Sequence, residues 1–270
     1  MHAVVLLKQI LDWELPAQKF RIDPGTKTPP NGLAARRLGP FEQNALELAV
    51  QLKDRNVVDT VTALLAGADD DVEALRKALA VGADDAVLVE LPEDGPSDAV
   101  QISALLARAI ERLDSPELVL AGRQAGDWDN GQVGYLVAER LGRPAVGLVW
   151  RVEESDGRLR VWRNGAAGVE QLAVRPPAVL TVTNHDSLVL RMSGVPALMA
   201  ALKKPVERLT AADLGFTPEE LSASRGLEFA DVSVPEVEQV CEFIEGEDAA
   251  EVASALVDRL AALRLLGGMA

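Results

Sequence analysis

With 270 residues the chain is long enough for one large domain or two small ones, and a 48% hydrophobic content excludes a wholly disordered protein. Aromatics make up only 4%, so Leu, Val and Ala must fill the core, and a formal net charge of −15 repels phosphate backbones and argues against a nucleic-acid partner. One cysteine, Cys241, and two distant histidines, His2 and His185, exclude an internal disulfide and a Cys-based metal site and leave little for His ligation or Ser–His–Asp chemistry.

Residues 3–7 (AVVLL) read as a strand buried on both faces. The run is short and broken by Lys8, so neither a signal peptide nor a membrane span is expected, and the expected location is the cytoplasm. Pro16, Pro24, Gly25, Pro29, Pro30 and Gly32 then forbid a long helix; that stretch is either an extended arm or a hairpin. From Pro40 onward Ala45, Leu48, Ala49 and Leu52 recur on one helix face. A strand follows within 57–67, then a helix with acidic residues in its first turn, suited to the helix dipole, that ends near Gly82, and a strand at 86–89. Residues 97–113 predict an amphipathic helix with Ser97 as N-cap. A strand at 117–122, a loop, a helix from about Gly131 to Gly142 and a strand at 145–150 complete an alternating pattern, which implies a parallel sheet with helices on both faces.

Beyond residue 150 short alternating runs split by Asn164–Gly165 and Gly168 predict antiparallel strands or hairpins. Residues 184–205 form a loop leading into a short helix, and 210–240 an irregular extended arm. A final amphipathic helix docks either on the chain's own domain or on a partner. The expected division is a domain over 1–205 and an arm with its helix over 206–270.

Ligands of parallel sheets sit beyond the carboxyl ends of the strands. The strongest site candidate is therefore the loop from Gly122 to Gly134, between a strand and a helix. Its glycines allow close backbone approach, and the helix start aims free N–H groups and a positive dipole end at it, the usual means of holding phosphate. Asn130 and Gln132 add donors, and Asp127 or Asp129 serves as N-cap or accepts from a ribose hydroxyl. A plain strand-to-helix turn explains the same residues about as well; the loop has neither a GxGxxG pattern nor a P-loop Lys. Gly67–Ala68 and Lys8–Gln9 are weaker candidates at neighbouring strand ends. Arg191 reads first as a surface salt bridge, and Lys203 and Lys204 as a solvated face. Trp13, Trp128, Trp150 and Trp162 read as packing residues, although Trp128 lies in the site loop and can cover a ring.

Five segments together carry a resemblance: VVLLKQ, GPFEQNALELAVQLKD, ALRKALAVGADDAVLV, LVLAGRQAGDWDNGQVGYLVAERLG and RPPAVLTVT with LRMSGVPALMAALKKPVERLTAADLG. Over roughly residues 1–265 the chain resembles the β subunits of electron transfer flavoproteins. The resemblance implies an α/β fold with a parallel-sheet, adenine-nucleotide-binding, alpha-hydrolase-like or Rossmann-like domain, an antiparallel extension, and a C-terminal arm and helix that wrap an α subunit. It implies an electron carrier rather than an enzyme, with FAD shared with the α subunit and AMP, or a second FAD in bifurcating members, in the β subunit. Electrons come from an acyl-CoA or related dehydrogenase and pass to a quinone oxidoreductase or another acceptor.

Carried over by position, the nucleotide pocket comprises Leu6, Gly39, Pro40, Phe41, Glu42, Ala66, Gly122, Arg123, Gln124, Asp127, Trp128, Asp129, Asn130, Gly131, Gln132 and Val133. Residues 184–205 match the loop that docks the dehydrogenase, with Val195 at its apolar anchor, followed by Pro196, and Arg191 near the α-subunit flavin. The chain departs from the family at Gly39, where Asn is usual, at Trp128 and Asn130, and at Val195, where Leu is usual. Ile10–Leu11–Asp12 replaces the Val-Pro-Asp common in bifurcating members. The competing reading is a stand-alone adenine-nucleotide-binding enzyme or sensor, which would need an SGGxDS-type phosphate loop near the first strand; Lys8–Gln9–Ile10–Leu11 is unlike it. A structural adaptor with a degenerate pocket is a further alternative and predicts no bound nucleotide.

Overall fold

The strand expected at 3–7 is β1 (His2–Leu7), and it runs through the interior of the main sheet. The structure is a computed structural model and describes residues 1–91, 98–113, 116–235 and 241–266. The chain divides into two units, Met1–Ser233 and Val234–Ala270.

In the first unit the polar stretch after β1 closes on itself: β2 (Gln9–Leu11) pairs antiparallel with β3 (Arg36–Leu38). The chain then passes through α1 (Pro40–Asp54), β4 (Thr60–Gly67), α2 (Val72–Val81), β5 (Asp85–Glu90), α3 (Ala99–Arg112), β6 (Leu118–Gly122) and α4 (Val133–Arg140). Next come β7 (Ala145–Ser155), β8 (Arg158–Gly165), β9 (Gly168–Val174), β10 (Ala178–Val182), α5 (Val195–Lys203), β11 (Glu207–Leu209) and α6 (Pro218–Ala223). The nine-stranded sheet has the order β11-β5-β4-β1-β6-β10-β7-β8-β9. Pairs from β11 to β7 are parallel, and β7, β8 and β9 form the antiparallel extension.

Side chains alternate across a strand, and β1 uses both faces. Ala3, Val5 and Leu7 pack with the apolar stripes of α1 and α2, and Val4 and Leu6 with those of α3 and α4. Each fully buried leucine, such as Leu48, Leu64 or Leu120, contributes about 1.5–3 kcal/mol.

Three local devices differ from expectation. Asp98 caps α3, accepting from the Gln101 amide at 2.8 Å, whereas the expected cap Ser97 lies outside the described residues. The same carboxylate accepts from the Gly226 and Leu227 amides at 2.6 and 2.9 Å, tying the chain after α6 to the start of α3. Glu207–Leu209, expected as the beginning of the arm, is instead an edge strand in register with Val87–Val89, and the capping box of Thr217 and Glu220 starts α6 within the stretch expected to be irregular.

In the second unit α7 (Ala249–Ala262) is capped by Asp248, which accepts from the Ala250 and Glu251 amides, both at 2.9 Å. None of its residues is buried. Among the described residues no helix is long and apolar enough to cross a membrane.

Candidate functional site

From β1 the chain moves outward through β4 and β5, then returns to β6 on the other side of β1. The carboxyl ends of β4, β1 and β6 therefore flank a switch point, where open α/β sheets form a ligand crevice. Four short segments meet there.

The first is the exit of β1. Lys8 accepts at its carbonyl from the Gly39 amide at 3.0 Å, and its Nζ donates to both carboxylate oxygens of Asp127 at 2.7 and 2.8 Å. Leu6 is buried in the strand, and Gln9 is buried with its Oε1 unpartnered among the described residues.

The second is the first turn of α1. Pro40 occupies a position where the missing N–H costs nothing. A Cβ on Gly39 would overlap the Glu42 carboxyl, and one on Gly122 would lie 3.0–3.1 Å from Phe41 and the Glu42 amide. Glycine at both positions lets α1 sit directly on the ends of β1 and β6. Glu42 is only 5% exposed, and burial pushes its pKa up to about 8, against its own amide and Lys8; Asp127 adds to the rise.

The third is the exit of β4, with Ala66 and Gly67. Asp71 is buried, accepts from the Ala68 amide at 2.8 Å, and has an Oδ1 without a hydrogen-bond partner. Arg36 lies 3.7 Å from that oxygen, close enough for Coulomb attraction and too far for a hydrogen bond. Burial raises the Asp71 pKa, with Arg36 opposing.

The fourth is the loop from Gly122 to Val133. The Arg123 guanidinium stands 4.4 Å from the centre of the Phe41 ring. Gln124 donates to Asp129 at 2.8 Å, and the Trp128 amide donates to Asp127 at 2.9 Å. Asp129 and Gly131 both have positive φ, +52° and +61°, which turns the loop into α4. Gln132 is the N-cap of α4 but makes no side-chain capping bond, so the first-turn amides of that helix are left for another acceptor. Asn130 and Gln132 are exposed, and Val133 is half-buried.

The structure thus brings part of the predicted set together: Gly122 packs on Phe41 and Glu42, and Arg123 lies over the Phe41 ring. Lys8 ties the end of β1 to Asp127 of the same loop. Asp71 and Phe229 carried no separable signal in the sequence: Asp71 is one of three consecutive aspartates, and Phe229 follows the loop by a hundred residues yet packs edge-on against Trp128 at 5.4 Å between ring centres.

A second surface lies along α1. Asn44, Glu47, Gln51 and Asp54 form one stripe, and all four bind the segment before α5: Asn44 to the Leu188 carbonyl at 2.8 Å, Gln51 to the Ser187 carbonyl at 2.7 Å, and Glu47 and Asp54 to Arg191. At the far end Arg76 donates to the carbonyls of Ala201 and Lys204, and Lys204 to those of Ala83 and Asp84. Between these anchors Val189, Met192, Val195, Leu198, Met199 and Leu202 are exposed; Met192 is 97% and Val195 74% accessible. Pro196 is exposed beside Val195.

The family model described as the electron transfer flavoprotein domain matches residues 34–214. The chain is 35% identical over 264 residues to the caffeyl-CoA reductase-Etf complex subunit CarD of Acetobacterium woodii, covering 96% of this chain and 98% of that protein. It is 34% identical to the electron transfer flavoprotein subunit beta of Thermoanaerobacterium thermosaccharolyticum, with 96% and 98% covered, and 34% identical to that of Mycobacterium tuberculosis, with 82% and 83% covered. The chain belongs to the electron transfer flavoprotein family, among its β subunits.

Proposed function

We propose that this chain forms a heterodimer with an electron transfer flavoprotein α subunit, holds AMP in the crevice at the ends of β4, β1 and β6, and shuttles electrons from an acyl-CoA or related dehydrogenase to a quinone oxidoreductase or another acceptor. The observation that carries the nucleotide reading is the uncapped start of α4 beside a glycine-permitted backbone approach. Such a helix end takes a phosphate without a dedicated lysine. Lys8, on the neighbouring end of β1, bonds Asp127 of the same loop and sets a cation beside it.

FAD, when bound with the α subunit, supplies the one- and two-electron chemistry. The tasks of this chain are then binding and presentation. Loop 122–133 grips the nucleotide, with Arg123, Gln124, Asp127, Trp128, Asp129, Asn130, Gly131, Gln132 and Val133 as its contacts. The exposed apolar row around Val195 and Pro196 is the docking surface for the dehydrogenase, kept rigid by the stripe on α1. Arg191 orients the edge of that surface nearest the flavin. Residues 206–270, with α7, reach the α subunit.

A second reading is favoured by the Acetobacterium woodii relative, whose name sets it in a complex with a CoA-ester reductase. On that reading a second FAD replaces AMP. The absence of a Val-Pro-Asp sequence after Lys8–Gln9 supports AMP. Chromatography of the nucleotides released by heat from the copurified pair separates the two.

A further inference from the structure

The chain that leaves α6 is tied down at three places. Leu221 gives its carbonyl to the Gln101 side chain at 3.1 Å, and the Gly226 and Leu227 amides donate to Asp98 at 2.6 and 2.9 Å. Both anchors are buried at the start of α3, Gln101 1% and Asp98 4% exposed. Gly226 is required for the fit, since a Cβ there would stand 2.6 Å from the Val100 side chain. Phe229 supplies the other two ties. Its carbonyl accepts from Lys27 Nζ, and its ring meets Trp128 edge-on at 5.4 Å between centres. Lys27 belongs to the turn closed by the Asp23–Thr28 bridge. Three residues reach at most ~10 Å, so residues 226–229 form a short strap that joins the start of α3, the turn at 23–28 and the loop after β6.

Trp128 is where the strap meets the site loop. Its neighbours in the loop are held from within the α/β unit, Asp127 by Lys8 and Asp129 by Gln124. Trp128 itself is 47% exposed and Phe229 half-buried. A contact of this kind can part without unfolding the sheet, because few buried apolar groups have to separate.

We propose that the Phe229–Trp128 pair is a latch: it holds loop 122–133 against the strap, and a nucleotide enters and leaves only when the pair parts. This rests on the nucleotide reading above and adds the element that sets the exchange rate at that site. Loops over ligand sites commonly limit exchange in this way. The strength of one edge-on aromatic pair corresponds to a change of about two- to tenfold in an opening equilibrium. A latch holds the same loop before and after binding, so its loss speeds entry and exit alike and leaves the affinity where it was. A side chain that supports the bound ligand alters exit alone.

The test measures both rates on the full chain with labelled AMP: binding after mixing, and release during a chase with unlabelled AMP. Wild type, Phe229→Ala, Phe229→Leu and Phe229→Tyr are compared, each with a thermal melt to show that the fold is kept. Phe229→Ala is expected to bind and release AMP about fivefold faster, with Kd within about twofold of wild type. Phe229→Leu keeps apolar bulk without an aromatic edge and is expected to move in the same direction, which preserves the test if the Ala variant folds poorly. Phe229→Tyr keeps the ring contact and is expected to match the wild type. Unchanged rates in the Ala and Leu variants, faster release with an unchanged binding rate, or a Tyr variant as fast as Ala overturns the latch while leaving the nucleotide site standing. No AMP binding to the wild type overturns both.

Discussion

Arg191 grips Glu47 through three hydrogen bonds: its main-chain amide and Nε donate to Oε2, both at 3.1 Å, and Nη2 donates to Oε1 at 2.9 Å. Glu47 is 4% exposed on α1, the helix whose first turn carries Glu42. One rod thus starts at the proposed nucleotide site and holds the proposed docking segment along its length. Burial raises the Glu47 pKa, but the bonds from Arg191 and Gln51 outweigh it and leave the carboxyl below its usual value. The bonds from Arg191 to Glu47 and Asp54 in turn raise the pKa of Arg191, against its burial.

Arg191→Ala leaves that carboxylate buried without its main partner and is expected to cost about 2–3 kcal/mol. A depressed carboxyl contributes stability above its unfolded value, near 4.5, which is lost as pH falls through the lower folded value. Urea unfolding at pH 7 and pH 4 checks both points: the variant is expected to be less stable at pH 7, with the gap narrowing in acid. A gap of equal size at both pH values contradicts the assignment.

The sign is opposite for Glu42. Its folded pKa of about 8 lies above 4.5, so the folded state holds the proton longer and stability falls as pH rises between these values. Glu42→Gln removes the penalty. Its unfolding free energy, from urea titrations, is expected to gain on the wild type steadily from pH 5 to pH 8, by up to about 1.4 kcal/mol per pH unit. A constant offset across that range means the acid is not buried as described.

Asp127→Ala combined with Gln132→Ala is expected to lower AMP affinity about tenfold, equivalent to about 1.4 kcal/mol. The Lys8–Asp127 pair is one-third exposed on each side, so the loss in fold stability is expected to stay below about 1 kcal/mol. Measuring AMP retained after dialysis, beside a thermal melt, distinguishes a lost contact from a damaged fold. Unchanged retention shows the phosphate to lie elsewhere.

Val195→Asp adds a charge to the exposed apolar row without touching the crevice. Reduction of the flavin by the dehydrogenase is expected to slow by at least about tenfold, the equivalent of about 1.4 kcal/mol of docking energy, with FAD content unchanged. An unaltered rate removes this row from the docking surface.

The parallel core was legible because β1, β4, β5 and β6 are short apolar runs separated by amphipathic helices. The proposed crevice followed from one general rule about strand ends; Gly122, expected to let the backbone approach a ligand, instead makes room for Phe41 and Glu42 at the start of α1. The hairpin turn at Asp156–Gly157, both residues at positive φ, and the Thr217–Glu220 box carry ordinary turn and cap signals. The contacts that organise the sites were not legible in the same way. Asp98 binding the amides of Gly226 and Leu227, Phe229 against Trp128 and Arg191 on Glu47 each join residues at least a hundred positions apart. Local pattern cannot encode such pairs, since each residue taken alone looks like a cap, a loop aromatic or a surface charge. The buried state of Glu42 was hidden for a related reason: an acid in the first turn of a helix normally satisfies the dipole in water.

The most direct measurement is identification of what the copurified pair carries: coexpress this chain with an α subunit, isolate the complex, release its nucleotides by heat and separate them by chromatography. The account predicts a stable yellow two-chain complex that yields both FAD and AMP. A chain that associates with no α subunit and releases no adenine nucleotide contradicts it.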